Sequence, residues 1–184
     1  MERWIKTYPK IFSKQECSGF IEYFNLQEYN KNLTRIDLKD HRLFDEINLN
    51  HFPKETHETQ LSVYDRFKYV LHKYKEETGL HKHAWPETFK FEEIRIKRYR
   101  MGRGNFLDHV DVGSYDSAMR FLVLFVYLND VEEGGETEFP ELDLTVTPKC
   151  GTMLLFPSTW TYLHRGNTPI SNDKYILGSY LHYV

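Results

Sequence analysis

The 184-residue sequence predicts a mainly β fold with flanking helices (α+β), either a small barrel or a two-sheet jelly roll. Three observations predict it. The texture changes near residue 90, from helical spacing before it to strand spacing after it. The later part holds about eight short apolar or alternating runs separated by turn formers. One of those runs, FLVLFVYL over residues 121–128, is apolar at every position, as expected of a strand covered on both faces.

The elements follow in order. Ser13 is a good helix N-cap with Glu16 at the capping-box position, and Cys17, Phe20, Ile21 and Phe24 then fall at helical spacing. Residues 29–54 are polar and without clear period, with a short strand over 33–38. A second helix is predicted to begin near Thr59. Leu61, Tyr64, Phe67, Val70, Leu71 and Tyr74 recur every three or four positions, and Gly79 is a natural stop. Both stripes would bury against a sheet. From Phe91 the chain reads as strands. Ile94 and Ile96 alternate with charged neighbours, a segment surrounds His109, and 121–128 follows. Gly134-Gly135 marks a turn, Leu142, Leu144 and Val146 alternate, and 153–156 is closed by Pro157. Residues 162–164 form a short strand and 174–183 a long one. The expected organisation is a single domain over 1–184, with 1–90 a mainly helical support and 91–184 the core.

Composition narrows the function classes. Hydrophobic residues make up 40% and aromatics 16%, which argues against disorder. With 24 basic and 27 acidic residues the formal charge is −3, so no nucleic-acid partner is expected. No apolar run approaches the ~20 residues that span a bilayer, so no membrane association is expected. Residues 1–6 lack the apolar stretch of a secretory signal. Cys17 and Cys150 therefore read as free thiols in a reducing, cytoplasmic setting.

His109, Asp111 and His164 are the candidate metal ligands. On a strand, side chains two apart share a face, so His109 and Asp111 can address one interior point while Val110 turns away. A barrel brings the distant His164 beside them. Two neutral imidazoles and one carboxylate take three corners of an octahedron and leave three open. The plainer reading is a His–Asp pair joined by a hydrogen bond. Among the other histidines, His81 and His83 read as an exposed loop. His41, His51, His57 and His72 read as surface residues, and His182 as lying outside the barrel centre.

Lys174 is the candidate anion anchor. The turn formers over 166–173 reverse the chain, so Lys174, Ile176, Gly178 and Tyr180 share one face of the last strand. An inward lysine is costly unless an anion meets it, and a dicarboxylate would. Gly178 would leave room on that face. The alternative is an exposed lysine beside Asp173. Tyr99 and Tyr127 read either as hydroxyl donors or as core aromatics. Arg120 reads either as a snorkelling edge residue or as a substrate contact.

Taken together, these pieces resemble the prolyl 4-hydroxylase-like branch of the iron(II)/2-oxoglutarate-dependent oxygenases. The resemblance rests on Arg98-Tyr99, His109-Val110-Asp111, YLNDVEEGGETEF over 127–139, PKCGTMLLFP over 148–157, His164-Arg165-Gly166 and Lys174-Tyr175, in that order. It covers roughly the second half of the chain. It implies a double-stranded β-helix, a cupin-like jelly roll supported by the N-terminal helices. It implies Fe(II) on His109, Asp111 and His164, and the distal carboxylate of 2-oxoglutarate on Lys174. Tyr99 and Tyr127 would contact the co-substrate, and Arg120 would lie on the substrate side. Dioxygen would be the second co-substrate and ascorbate an auxiliary reductant.

The implied reaction is hydroxylation of a C–H bond, as in peptidyl-proline 4-hydroxylation, with succinate and carbon dioxide as co-products. The substrate would be a peptide, a protein or a small molecule. Two rival classes are a cupin-type metalloenzyme without 2-oxoglutarate and a non-catalytic jelly-roll binding module. Tyr180 stands where many relatives carry a tryptophan, and the stretch from Asp111 to Arg120 is short.

Overall fold

Helix α1 (Lys14–Tyr29) starts where its cap dictates. Ser13 Oγ accepts from the Glu16 amide at 3.2 Å, and the Glu16 carboxylate accepts from the Ser13 amide at 2.7 Å. Such a cap contributes about 1 kcal/mol. The coordinates, a computed structural model, describe residues 2–38 and 41–184. Helix α2 (Pro53–Thr78) begins at Pro53, earlier than the apolar spacing predicts. Its first turns are held by polar groups instead: Thr56 Oγ1 donates to the Leu49 carbonyl at 2.7 Å, and Gln60 Nε2 donates to the same carbonyl at 3.1 Å. Leu61, expected in the stripe, is exposed. Gly79 ends α2 with φ 57°, the left-handed conformation glycine adopts freely.

The strands are β1 (Lys6–Tyr8), β2 (Thr34–Leu38), β3 (Arg42–Asn48), β4 (Phe89–Phe91), β5 (Arg95–Tyr99), β6 (Asn105–His109), β7 (Arg120–Tyr127), β8 (Thr137–Phe139), β9 (Leu144–Val146), β10 (Met153–Pro157), β11 (His164–Gly166) and β12 (Lys174–Tyr183). Their number exceeds the eight read from periodicity because β1, β4, β8, β9 and β11 have only three residues each. The short strand expected at 162–164 starts instead at His164, and Leu142 closes a 3-10 turn.

The strands form one sheet in the order β1-β10-β7-β12-β5-β3-β6-β11-β8-β9, with β2 on β3 and β4 on β12. Strand β3 is the joint, pairing β5 on one part of its length and β6 on the other. The sheet curls there, so strands β6, β11 and β8 face β5, β12 and β7 across a cleft. This is a mostly β jelly-roll arrangement with two helices on its outside.

Strand parity sorts the residues between two cores. Leu122, Leu124 and Val126 of β7 join Leu177 and Leu181 of β12 under α1 and α2, around Phe24, Val63 and Phe67. The alternate residues Val123 and Tyr127 of β7 and Ile176 of β12 face inward with Phe139 and Phe156. The apolar run at 121–128 is thus buried on both faces. Cys17 and Cys150 are both free thiols. Burial, with the Cys150 thiol beside it, pushes Cys17 up to about 12. Among the described residues, no helix is long and apolar enough to cross a membrane.

Candidate active site

His109 is the last residue of β6 and His164 the first of β11, and the antiparallel register sets them directly opposite each other. Asp111 comes two residues after His109, beyond the end of β6. It is brought in by the bend that follows the strand rather than by the pleat itself. One ligand atom from each of the three residues lies within 4.8 Å of the others. Asp111 Oδ2 is 3.4 Å from His164 Nε2, and Oδ1 is 4.0 Å from His109 Nε2.

The orientation of each ring is set from behind. His109 Nδ1 lies 2.7 Å from the Leu107 carbonyl and His164 Nδ1 lies 3.0 Å from the Tyr162 carbonyl. A carbonyl only accepts, so each Nδ1 carries the proton and each Nε2 turns a lone pair toward the shared point. Burial, then the neighbouring His164, hold His109 down to about 2, so it is neutral wherever the protein works. Asp111 Oδ2 is buried without any hydrogen-bond donor. Two lone pairs and a bare carboxylate oxygen converging on one point repel each other unless a cation joins them. The donor set therefore fits a divalent metal of the Fe(II) type, and it leaves the cleft side open.

Behind the triad stands a supporting chain. The Tyr180 hydroxyl donates to Asp111 Oδ1 at 2.9 Å. The Arg120 guanidinium lies 4.0 Å over the Tyr180 ring and donates to Glu92 through Nε at 2.8 Å. His182 Nε2 is also 2.8 Å from Glu92. Burial alone would raise the Glu92 carboxyl. Arg120, Arg95 and His182 more than offset it and hold the group ionised. Arg120 thus lies behind Tyr180 rather than in the cleft, and His182 lies outside it. The sequence offered one signal for Tyr180, its place on the Lys174 face of β12; it offered none for Glu92.

The cleft, about 680 Å³ out to its open mouth, runs from the triad to Lys174. Lys174 is 2% exposed, and its Nζ donates to the Gly135 carbonyl at 2.8 Å and lies 4.5 Å over the Tyr99 ring. No carboxylate among the described residues forms an ion pair with it. Burial pulls it down to about 7, opposed in part by Glu136. A Cβ on Gly166 would stand 3.6 Å from Nζ, in space that a carboxylate partner needs. Gly178 has a different reason from the one expected. A Cβ there would meet Phe125 Cβ at 2.6 Å, so this glycine admits the neighbouring strand rather than a ligand.

Tyr99 lines the cleft beneath Lys174. Tyr127 sits one layer back, its hydroxyl donating to Thr137 Oγ1 at 2.7 Å, and Thr137 is the residue that reaches the cleft. His41, His51, His57, His72, His81 and His83 are all exposed.

Two imidazoles and one carboxylate on the wall of an open cleft define the facial-triad class of non-haem iron sites. Residues 94–182 match the model of the 2OG-Fe(II) oxygenase superfamily, 2OG being 2-oxoglutarate. Among curated relatives, chicken (Gallus gallus) prolyl 4-hydroxylase subunit alpha-1 is 31% identical over 107 residues. That match covers 50% of this chain and 20% of the subunit, so the chain spans only about a fifth of that relative.

Among solved structures, a viral collagen prolyl hydroxylase from Paramecium Bursaria Chlorella virus-1, in a 2OG complex, aligns with a TM-score of 0.76 at 24% identity. The alignment covers 98% of this chain and 97% of that one. A Trichoplax adhaerens prolyl hydroxylase, in complex with a hypoxia inducible factor oxygen degradation domain peptide fragment, aligns with a TM-score of 0.71 at 13% identity, covering 98% and 84%. At these identities the two structures establish the shared fold.

Proposed function

We propose that this chain is an Fe(II)- and 2-oxoglutarate-dependent oxygenase that hydroxylates a C–H bond in a peptide, in the manner of the prolyl hydroxylases. One observation carries the reading: the donor-free Asp111 oxygen between two imidazole lone pairs, in a cleft that ends at an unpaired buried ammonium. Iron and 2-oxoglutarate, when bound, supply the activation of dioxygen, with succinate and carbon dioxide as co-products.

The protein supplies positions. His109, Asp111 and His164 hold the metal on one side and leave the cleft side free. Tyr180 keeps one Asp111 oxygen occupied, so the other serves as the ligand atom. Lys174 receives the distal carboxylate of the co-substrate, with Tyr99 as the floor beneath it. The apolar inner walls, Ile176 and Val123, keep water from the reacting atoms.

An extended substrate suits the mouth. Tyr115 and Trp160, 94% and 80% exposed, stand on the two loops next to Asp111. Those loops are tied together by the Val112 amide, which donates to the Ser158 carbonyl at 3.2 Å. Exposed aromatic side chains beside a cleft are suited to gripping a peptide. The free state of Cys17 and Cys150 supports a reducing compartment such as the cytoplasm.

The test is succinate formation from 2-oxoglutarate by purified protein with Fe(II) and ascorbate, run with and without proline-containing peptides. Asp111→Ala should reduce succinate to below about 1% of wild type. Full activity in that variant would refute the ligand assignment. Metal-dependent turnover of another substrate, with no succinate, would favour the cupin-type rival.

A further inference from the structure

The cleft holds one more cation that the chemistry above leaves without a task. Strand β5 turns Arg95, Lys97 and Tyr99 to the cleft, opposite Gly178, Ile176 and Lys174 of β12. Arg95 is already engaged, with Glu92 at 3.2 Å and Glu93 at 2.9 Å. Tyr99 is the floor under Lys174. Lys97 lies between them, on the strand midway from the Lys174 end to the Tyr180–Asp111 end.

Among the described residues, Lys97 Nζ makes no hydrogen bond and no ion pair. It rests 4.8 Å over the Phe44 ring. Glu46 is its cross-strand neighbour on β3 and attracts it, without reaching ion-pair distance. Arg42, on the same face of β3, lies 4.5 Å over the Phe106 ring, and its Nε is buried without a partner. This wall therefore presents one cation, Lys97, to the ligand space, with Arg42 laid on the Phe106 ring behind the lining.

A partly buried ammonium facing a cleft is costly unless an anion meets it, and an uncharged side chain of the same length would fill the space without that cost. The co-substrate's distal carboxylate already has Lys174. We propose that Lys97 is a specificity-determining residue that binds a carboxylate of the substrate, placing an acidic group next to the C–H bond that is oxidised. The proposal rests on the oxygenase reading for its chemistry but concerns a separate contact. The carboxylate has two possible sources: an acidic side chain in a peptide, or the free α-carboxylate of an amino acid or chain end.

The experiment is a selection by binding. Protein loaded with Fe(II) and 2-oxoglutarate is held under nitrogen, where no turnover occurs. It is offered short proline-containing peptides in matched forms: Asp or Glu against Asn or Gln at each flanking position, and free against amidated C-termini. Wild type should retain the acidic forms over their neutral partners by about 10-fold or more, the expected weight of a charged hydrogen bond. Preference for acidic side chains identifies one source, and preference for free C-termini the other; either supports the proposal.

Lys97→Met should lose the preference, Lys97→Arg should keep it, and Lys97→Glu should shift retention toward basic peptides. Equal retention of acid and amide by wild type would overturn the proposal. So would an undiminished preference in Lys97→Met, or a Lys97→Met defect confined to 2-oxoglutarate affinity. Succinate formation in air by wild type is scored separately. Its absence would defeat the oxygenase reading whatever the peptides show.

Discussion

Arg98 and Lys97 are neighbours on β5 that point to opposite faces of the sheet, and their surroundings differ in a way that separates structure from function. Arg98 faces the helix layer, where its side chain is 5% exposed. Its two terminal nitrogens are engaged, with Glu28 of α1 at 2.6 Å and Asp45 of β3 at 2.8 Å. Arg98 in turn holds the Glu28 carboxyl down to about 2, with Arg100 adding to the effect. Lys97 faces the cleft and has no such partner, and neither does Lys174 two strand pairings away. On the outer face, buried charge is answered by the protein's own charge and ties α1 to the sheet. On the inner face, buried charge is left open, which costs stability and is worth keeping only if a ligand answers it.

That contrast predicts opposite signs for two similar substitutions. Arg98→Met leaves Glu28 and Asp45 with Arg100 alone and should destabilise the fold by about 3 kcal/mol. Lys174→Met removes a penalty and should leave stability equal or higher, while raising the 2-oxoglutarate requirement about 30-fold. Urea unfolding of both variants, with the co-substrate dependence of succinate formation, checks the pair. A strong loss of stability in Lys174→Met would break the comparison.

A smaller effect is expected one layer behind the metal. Tyr180→Phe removes the hydroxyl that holds Asp111 Oδ1, and should weaken Fe(II) binding about 10-fold with little change in stability. A metal titration reads it, and unchanged affinity would show that Asp111 is positioned without Tyr180.

A graded effect is expected from pH. Burial holds Lys174 at about 7 in the ligand-free protein, whereas a bound carboxylate favours its charged form. Binding therefore takes up a proton, and 2-oxoglutarate affinity should fall as pH rises above about 7, by up to about 10-fold per unit. The same depression means that the lysine's cost to stability is fully present below pH 7. It fades as pH rises toward the ordinary lysine value. Affinity independent of pH between about 6.5 and about 8.5 would remove Lys174 from the contact.

The same two faces explain what the sequence disclosed. Strands β7 and β12 and the cap of α1 were legible because their patterns are local: an unbroken apolar run, a long alternation, and Ser13 with Glu16. The convergence of His109, Asp111 and His164 and the burial of Lys174 were suggested by residue type and spacing, and more firmly by the family resemblance. Strand β3 was hidden because Arg42, Asp45 and Glu46 break its apolar alternation, and Asp45 is acceptable in the sheet only through Arg98 and Arg100. The start of α2 was hidden because Thr56 and Gln60, not apolar residues, secure it. The isolation of Lys97 could not be read either. A charged residue on a strand is unpaired only when every strand beside it has been placed.

The most direct test of the open inner face is equilibrium binding of 2-oxoglutarate to the whole chain under nitrogen, with and without Fe(II). One equivalent should bind, far more tightly with the metal than without it, and both Asp111→Ala and Lys174→Met should weaken it. Binding indifferent to metal and to both substitutions would show that the cleft between the triad and Lys174 is not where the co-substrate sits.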